Sequence, residues 1–167
     1  MIVLLASAAL GQEVKTDYDR SASFGEYRTY SWQNVKTRDP LIVDRIKSAV
    51  NAALAAKGWK EVQSDGNAII VAIETTHDQQ TLDTFYDGFG GGWRWRGFGG
   101  FGESPTTVEN YKVGTLVVDI FDTNSKKLIR RGSANDTLSN NSDKNIKELD
   151  KGVNKMFKEF PPGAGRR

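Results

Sequence analysis

Residues 115–121 read TLVVDIF, and their pattern decides how this chain folds. In a strand the side chains alternate between two faces, here Leu116, Val118 and Ile120 on one face and Val117, Asp119 and Phe121 on the other. The polar residues 122–126 have the composition of a turn, and residues 127–138 return as the partner strand. The sequence therefore predicts a β-hairpin here.

Further strands are predicted upstream of this hairpin. Residues 14–19 and 27–32 are rich in β-forming side chains and are separated by the turn-like residues 21–25. Residues 59–62 form a short third segment. The run AIIVAI, residues 68–73, is continuous and rich in β-branched side chains, which favours a strand that is buried on both faces.

Two helices are predicted from their boundaries and their apolar spacing. Asp39 is a good N-cap, Pro40 suits the first helical position, and Gly58 suits a left-handed stop. The second helix begins at Ser142 or Asp143 and ends before the two prolines 161 and 162. Apolar residues recur at helical spacing in both: Ile42, Ile46, Ala49, Val50, Ala53 and Leu54 in the first, and Ile146, Leu149, Val153, Met156, Phe157 and Phe160 in the second.

These elements predict an α+β fold: a largely antiparallel sheet of about five or more strands with two amphipathic helices on one face. The chain has 167 residues, which is a one-domain length. We expect one domain over residues 12–162 and a frayed tail over residues 163–167.

The N-terminal residues 1–10 are apolar or small throughout. They are too few to cross a bilayer, which takes roughly 20 residues. Residues 9–11 (ALG) resemble a signal-peptidase site, so residues 1–11 are predicted to be a signal peptide that leaves Gln12 as the mature N-terminus. A basic leading region is missing, as in a truncated signal peptide, and an N-terminal strand is the alternative. The first interpretation predicts an exported protein.

Composition excludes several classes of function. The net charge of +2 has no basic stripe behind it, so we expect no nucleic-acid partner. The absence of cysteine excludes disulfides, thiolate catalysis and cysteine-ligated metals. His77 is the only histidine, and it is interpreted either as a general base held by Asp78 or as a partly exposed strand-end residue. We predict no catalytic residues, no metal and no cofactor.

The acidic residues do not pair into a catalytic site in this pattern. Asp119 and Asp122 are three residues apart, which places them on opposite faces of a regular strand. Asp119 is expected at the rim of the sheet, bonded to a basic neighbour such as Arg130 or Arg131. The acids Asp143, Glu148 and Asp150 are predicted to lie on the solvated face of the second helix.

One segment departs from the average composition. Residues 85–102 read FYDGFGGGWRWRGFGGFG and contain eight of the 17 glycines and seven aromatic residues of the chain. Glycine disfavours regular structure, whereas exposed aromatic side chains favour contact with another surface. The candidate binding residues are the aromatic and arginine side chains of this loop: Phe85, Tyr86, Phe89, Trp93, Arg94, Trp95, Arg96, Phe98 and Phe101.

Three interpretations of the loop remain open. It is a long mobile connection whose aromatics partly fold back on the sheet, a contact site for a membrane interface or partner protein, or a stacking platform for carbohydrate or single-stranded nucleic acid. Among these, the exported location makes nucleic acid the weakest ligand. Its letters G-x-G-x-x-G at residues 97–102 lack the strand–helix context of a dinucleotide site.

The chain resembles a family of small bacterial envelope proteins, many of them lipoproteins, classed as a domain of unknown function. The resemblance covers residues 14–162 and lies in an ordered set of segments: TYSW at 29–32, DPL at 39–41, LAAKGW at 54–59, GTLVVDIFD at 114–122, LIRRG at 128–132 and FPP at 160–162. It implies an exported α+β domain in the periplasm or on the outer membrane, with a variable Gly-rich or aromatic insertion at residues 85–102. It supplies no catalytic residues.

Two departures from the family pattern stand out. The lipid-anchoring cysteine usual in the family has no counterpart in this sequence, so no lipid anchor is expected. Ile129 and Arg130 stand where the family often has tryptophan.

The sequence therefore predicts a non-enzymatic binding or structural module of the cell envelope. Its partner is an envelope component, either a protein, the membrane surface or peptidoglycan, held by a sheet edge or by residues 85–102. The alternative is a hydrolase or transferase acting on envelope glycans or lipids, with acids such as Asp119 as catalysts.

Overall fold

The computed structural model describes residues 12–78 and 112–162. The predicted signal peptide 1–11, the loop 85–102 and the tail 163–167 lie outside the described residues. Six strands and two α-helices make up the described fold: β1 (Glu13–Tyr18), β2 (Thr29–Lys36), α1 (Val43–Ala55), β3 (Lys60–Glu61), β4 (Ala68–Asp78), β5 (Lys112–Asp122), β6 (Leu128–Thr137) and α2 (Ser142–Phe157).

The strands form one sheet in the order β1-β6-β5-β4-β2-β3. The pairs β1–β6, β6–β5 and β5–β4 are antiparallel, whereas β2 runs parallel to both β4 and β3. The predicted α+β class is confirmed in its coarse form, and the sheet is mostly antiparallel with some parallel pairs. The parallel pairs arise because α1 follows β2 and returns the chain across the sheet, which is the connection that parallel strands need.

Both helices pack on one face of the sheet. The face predicted for Leu116, Val118 and Ile120 is confirmed, because these side chains are buried in one cluster with Val50 of α1 and Val153 of α2. Full burial of a side chain of this size contributes about 1.5–3 kcal/mol. The apolar stripes of both helices therefore stabilise the fold by burial against this face of the sheet.

Local sequence signals place the helix boundaries. The Asp39 side chain accepts a hydrogen bond from the Leu41 N–H at 3.0 Å, and a single 3₁₀ turn, Pro40–Ile42, precedes α1. Gly58 has φ +82°, the left-handed conformation predicted for it. At α2 the cap is Asn141, whose side chain accepts from the Lys144 N–H at 3.1 Å.

Two predictions about the sheet are corrected. The segment 59–62 contributes only Lys60–Glu61 as a strand, because it lies at an edge and pairs with β2 alone. Asp119 is not at the rim, since β5 has β4 on one side and β6 on the other. Its predicted partner Arg131 is confirmed, and Asp122 lies on the opposite face, as the alternation requires.

Candidate functional site

Asp119 and Arg131 form a buried ion pair on the sheet face that α1 and α2 do not cover. The two residues are register partners in β5 and β6. The guanidinium donates from Nε to Oδ1 and from Nη2 to Oδ2, both at 2.5 Å. Burial raises the pKa of Asp119, and the two hydrogen bonds from Arg131 oppose that rise. Both carboxylate oxygens are therefore committed to a structural partner.

The connection that contains the candidate loop is fixed at one end of the sheet. Asp78, the last residue of β4, is the register partner of Lys112, the first residue of β5. The chain therefore leaves and re-enters the sheet at neighbouring positions. The nine candidate loop residues, Phe85 to Phe101 in the set named above, lie outside the described residues.

A groove opens at the same end of the sheet, between the strands and α2. Its volume is about 530 Å³, with the solvent at its mouth included. It is lined by Gln12, Ile42, Glu74, Gly114, Thr115, Leu116, Ala134, Asp136, Thr137, Leu138, Asn145, Glu148 and Leu149. Aliphatic side chains from three elements and two loops supply its walls, and three carboxylic acids lie among them.

The three acids are Glu74 of β4, Asp136 of β6 and Glu148 of α2. Burial and then the negative charge of Glu148 raise the pKa of Asp136, while the Thr137 N–H and Lys151 oppose the rise. A side-chain hydrogen bond between Asp136 and Glu148 also raises that pKa, so the two carboxyl groups lie within hydrogen-bonding reach of each other. Glu74 is differently placed, because its Oε2 accepts a hydrogen bond from the Thr37 hydroxyl at 2.6 Å.

Gln12 adds a further acceptor to the groove. Its Nε2 donates to the backbone oxygen of Glu148 at 2.6 Å, which joins the start of β1 to α2. Its Oε1 is buried and has no hydrogen-bond partner. Buried side-chain oxygens are bonded in the large majority of cases, so this atom is an exception that a donor would satisfy.

α2 reaches the strands closely enough to form this groove because residue 152 is glycine. A Cβ at Gly152 would lie 2.8 Å from Gln12 Nε2 and 3.1 Å from the Ala134 Cβ. A larger residue there would have to displace the Gln12 side chain and shift Ala134 slightly. Glycine in the middle of a helix costs about 1 kcal/mol relative to alanine, and here the close packing is the reason for it.

The matched family model covers residues 14–162 and is described as Domain of unknown function (DUF4136). The chain belongs to the DUF4136 family. No curated protein matches it. The family assignment agrees with the resemblance in the sequence to a family classed as a domain of unknown function.

A solved structure shares the fold of this DUF4136 domain at low sequence identity. A PDZ domain protein from Parabacteroides distasonis superposes with a TM-score of 0.58 at 14% identity, over 90% of this chain and 36% of that protein. The chain thus spans little more than a third of that protein's length. Weaker likenesses are the PelC dodecamer from Paraburkholderia phytofirmans (TM-score 0.48, 10% identity, 87% and 97% covered) and a minor lipoprotein from Acinetobacter baumannii (0.40, 12%, 80% and 91%).

The structure of this DUF4136 domain also bears on the single histidine, on metal binding and on membrane-spanning helices. His77 lies within β4 opposite Val113. Within the described ranges no three His, Asp or Glu residues are grouped as metal ligands. No helix of residues 12–78 and 112–162 is long and apolar enough to cross a membrane.

The groove is the feature that sequence reasoning missed. Of the three acids predicted on the solvated face of the second helix, Asp143 and Asp150 are exposed, whereas Glu148 is 31% exposed and lines the groove. Glu74 and Asp136 had no predicted role. Gly152 is the sequence signal that points to the site, because a glycine inside an amphipathic helix marks a close approach of another element.

Proposed function

We propose that this protein is an exported envelope component that acts as a non-enzymatic binding module and contacts its partner through residues 85–102. The observation that supports this is the pairing of Asp78 with Lys112. It anchors both ends of the connection on the two central strands of a packed sheet. A loop held in this way can present its aromatic and arginine side chains from a rigid base, as binding loops do.

The chemistry of the segment suits a partner surface. Trp93 and Trp95 offer large apolar areas, and Arg94 and Arg96 add cations beside them. Aromatic residues and arginine are enriched at protein interfaces, and tryptophan is enriched at the membrane–water interface. We place the protein in the periplasm or at the outer membrane, supported by the apolar N-terminal residues 1–11. The partner is a protein, a membrane surface or peptidoglycan.

Co-sedimentation tests this proposal. Protein purified from the cell envelope is mixed with lipid vesicles or with peptidoglycan, beside a variant in which a Gly-Ser linker of equal length replaces residues 88–102. A second variant replaces only Trp93 and Trp95 with serine. We expect pelleting with one of the two materials, or cross-linking to one envelope protein, that both variants lose while their thermal unfolding is unchanged.

Binding that persists equally in both variants would overturn the role of the loop, and absence of any envelope contact would overturn the proposal as a whole. The alternative, a hydrolase or transferase that uses Asp119, has less support because both oxygens of that carboxylate bind Arg131.

A further inference from the structure

The groove between β4, β5, β6 and α2 has an apolar interior. Leu116 is only 6% exposed, and Leu138 and Leu149 close the side of the groove towards α2. Small-ligand sites are typically concave and mainly apolar, with a few polar groups that fix orientation. The groove has this composition, and it is built from residues outside the segment 85–102.

The polar groups of the groove are mainly hydrogen-bond acceptors. Glu74, Asp136 and Glu148 contribute carboxylates, and Gln12 contributes the buried Oε1 that has no partner. Lys151 is the cation that approaches them, at 3.6 Å from Glu148, and it is 56% exposed and does not line the groove. An anionic ligand would be repelled by the acids that line the groove, whereas a cation would be attracted to them.

The buried Oε1 of Gln12 favours a cation that carries N–H groups. Gln12 is held by its Nε2 on the Glu148 backbone, and its side chain lines the same groove as the acids. An ammonium group has three donors and no acceptor. It can donate hydrogen bonds to this oxygen and to one or two carboxylates at the same time. A neutral alcohol or a metal ion is less suited to these acceptors.

We propose that this groove binds a small ligand that combines an apolar body with a protonated amine. The apolar body lies against Leu116, Leu138 and Leu149, and the ammonium group lies beside the hydrogen-bonded pair Asp136 and Glu148. The charge complementarity between the acids and the ammonium group selects the ligand, and the apolar walls provide the contact area. This site is independent of the loop proposed above.

Isothermal titration calorimetry with n-octylammonium tests the proposal. Three comparison ligands are used. Octanol lacks the positive charge, octanoate carries a negative charge instead, and ethylammonium lacks the apolar body. We expect saturable binding of octylammonium alone. In Asp136→Asn/Glu148→Gln, we expect affinity to fall by about 10-fold or more, since hydrogen bonds to charged groups contribute roughly 1.5–3 kcal/mol.

The matched control is Asp150→Asn, which removes an exposed acid from the same helix outside the groove. It should leave the affinity unchanged, and thermal unfolding verifies that each variant is folded. Equal binding of octanol, unchanged affinity in the double variant or no binding of octylammonium would each overturn the proposal. The variant with residues 88–102 replaced should still bind octylammonium, so the groove and the loop can fail separately.

Discussion

Arg130 and Arg131 are consecutive residues of β6, and both are buried, but they are stabilised in different ways. They are 4% and 8% exposed. Because strand side chains alternate, Arg131 lies on the face without helices and Arg130 lies on the face packed against α2. The guanidinium groups of two neighbouring residues therefore lie in two different environments.

Arg131 is neutralised by a carboxylate. Asp119 accepts two hydrogen bonds from it in the bidentate geometry that suits a guanidinium group. Pairs of this kind offset the desolvation of both ions only when the geometry is good, and breaking one is costly.

Arg130 has no carboxylate partner within the described ranges. Its Nη2 donates to the backbone oxygen of Met156 in the last turn of α2, and its guanidinium lies 4.7 Å from the ring centre of Phe157 and 5.0 Å from that of Phe160. Burial lowers its pKa to about 10, so it remains charged at neutral pH. The carbonyl end of a helix and the faces of aromatic rings both favour a cation.

The comparison shows that a buried cation can be accommodated by dipoles and rings in place of a counter-ion. Nη1 of Arg130 has no hydrogen-bond partner, which is the energetic cost of this arrangement. We therefore expect the ion pair of Arg131 to be sensitive to loss of its partner, and Arg130 to be comparatively replaceable.

The largest effect is expected from Asp119→Ala. It leaves the guanidinium of Arg131 buried without the Asp119 carboxylate, and breaking a buried pair in this way costs about 3–5 kcal/mol. Chemical denaturation measures the loss in the free energy of unfolding. Asp150→Ala, an exposed acid, should change it by less than about 0.5 kcal/mol.

The double variant Asp119→Leu/Arg131→Met sharpens this prediction. Replacing both partners with apolar residues should recover most of the loss, because neither charge then remains buried. A loss as large in the double variant as in Asp119→Ala would show that packing at residue 119, and not charge, dominates.

Gly132→Ala is expected to have an intermediate effect. A Cβ at residue 132 would collide with Cγ of Met156 and approach Arg130 Nη1 to 3.4 Å. Met156 is buried, so its side chain or α2 must shift, and such overpacking costs about 1–3 kcal/mol. Thermal unfolding measures the loss, and Gly25→Ala, with open space around its Cβ position, is the matched control. Equal stability of both variants would contradict the close contact.

The smallest effect is expected from Arg130→Met. The substitution removes one hydrogen bond and two ring contacts, but it also removes a buried cation and an unsatisfied N–H group. We expect a change in the free energy of unfolding of less than about 1.5 kcal/mol, in either direction. A loss comparable with that of Asp119→Ala would show that the carbonyl of Met156 and the rings are worth as much as an ion pair.

Sequence reasoning predicted the elements well where the signal is local. The alternation over residues 115–121 predicted both faces of β5, and it predicted that Asp119 and Asp122 diverge. Asp39 and Gly58 bracket the first helical region as expected. Side-chain directions repeat every two residues in a strand and every 3.6 residues in a helix, so a short stretch of chain is enough to show the pattern.

Positions that depend on strand order were not predictable in this way. Asp119 was expected at the rim and is in the interior of the sheet, because nothing within β5 reveals that it has neighbours on both sides. Glu148 was assigned to solvent because helical periodicity does not reveal that the start of β1 lies against it.

The sequence alone therefore determined the α+β class, the hairpin, the two amphipathic helices and the family. The tertiary structure decided the parallel placement of β2, the Asp119–Arg131 pair, the setting of Arg130 and the groove. Gln12, Glu74, Asp136 and Glu148 come from separate parts of the chain and meet only when the sheet is assembled and α2 packs on it. Local patterns reflect backbone geometry, whereas a site made of distant residues depends on long-range packing, which no single stretch of sequence encodes.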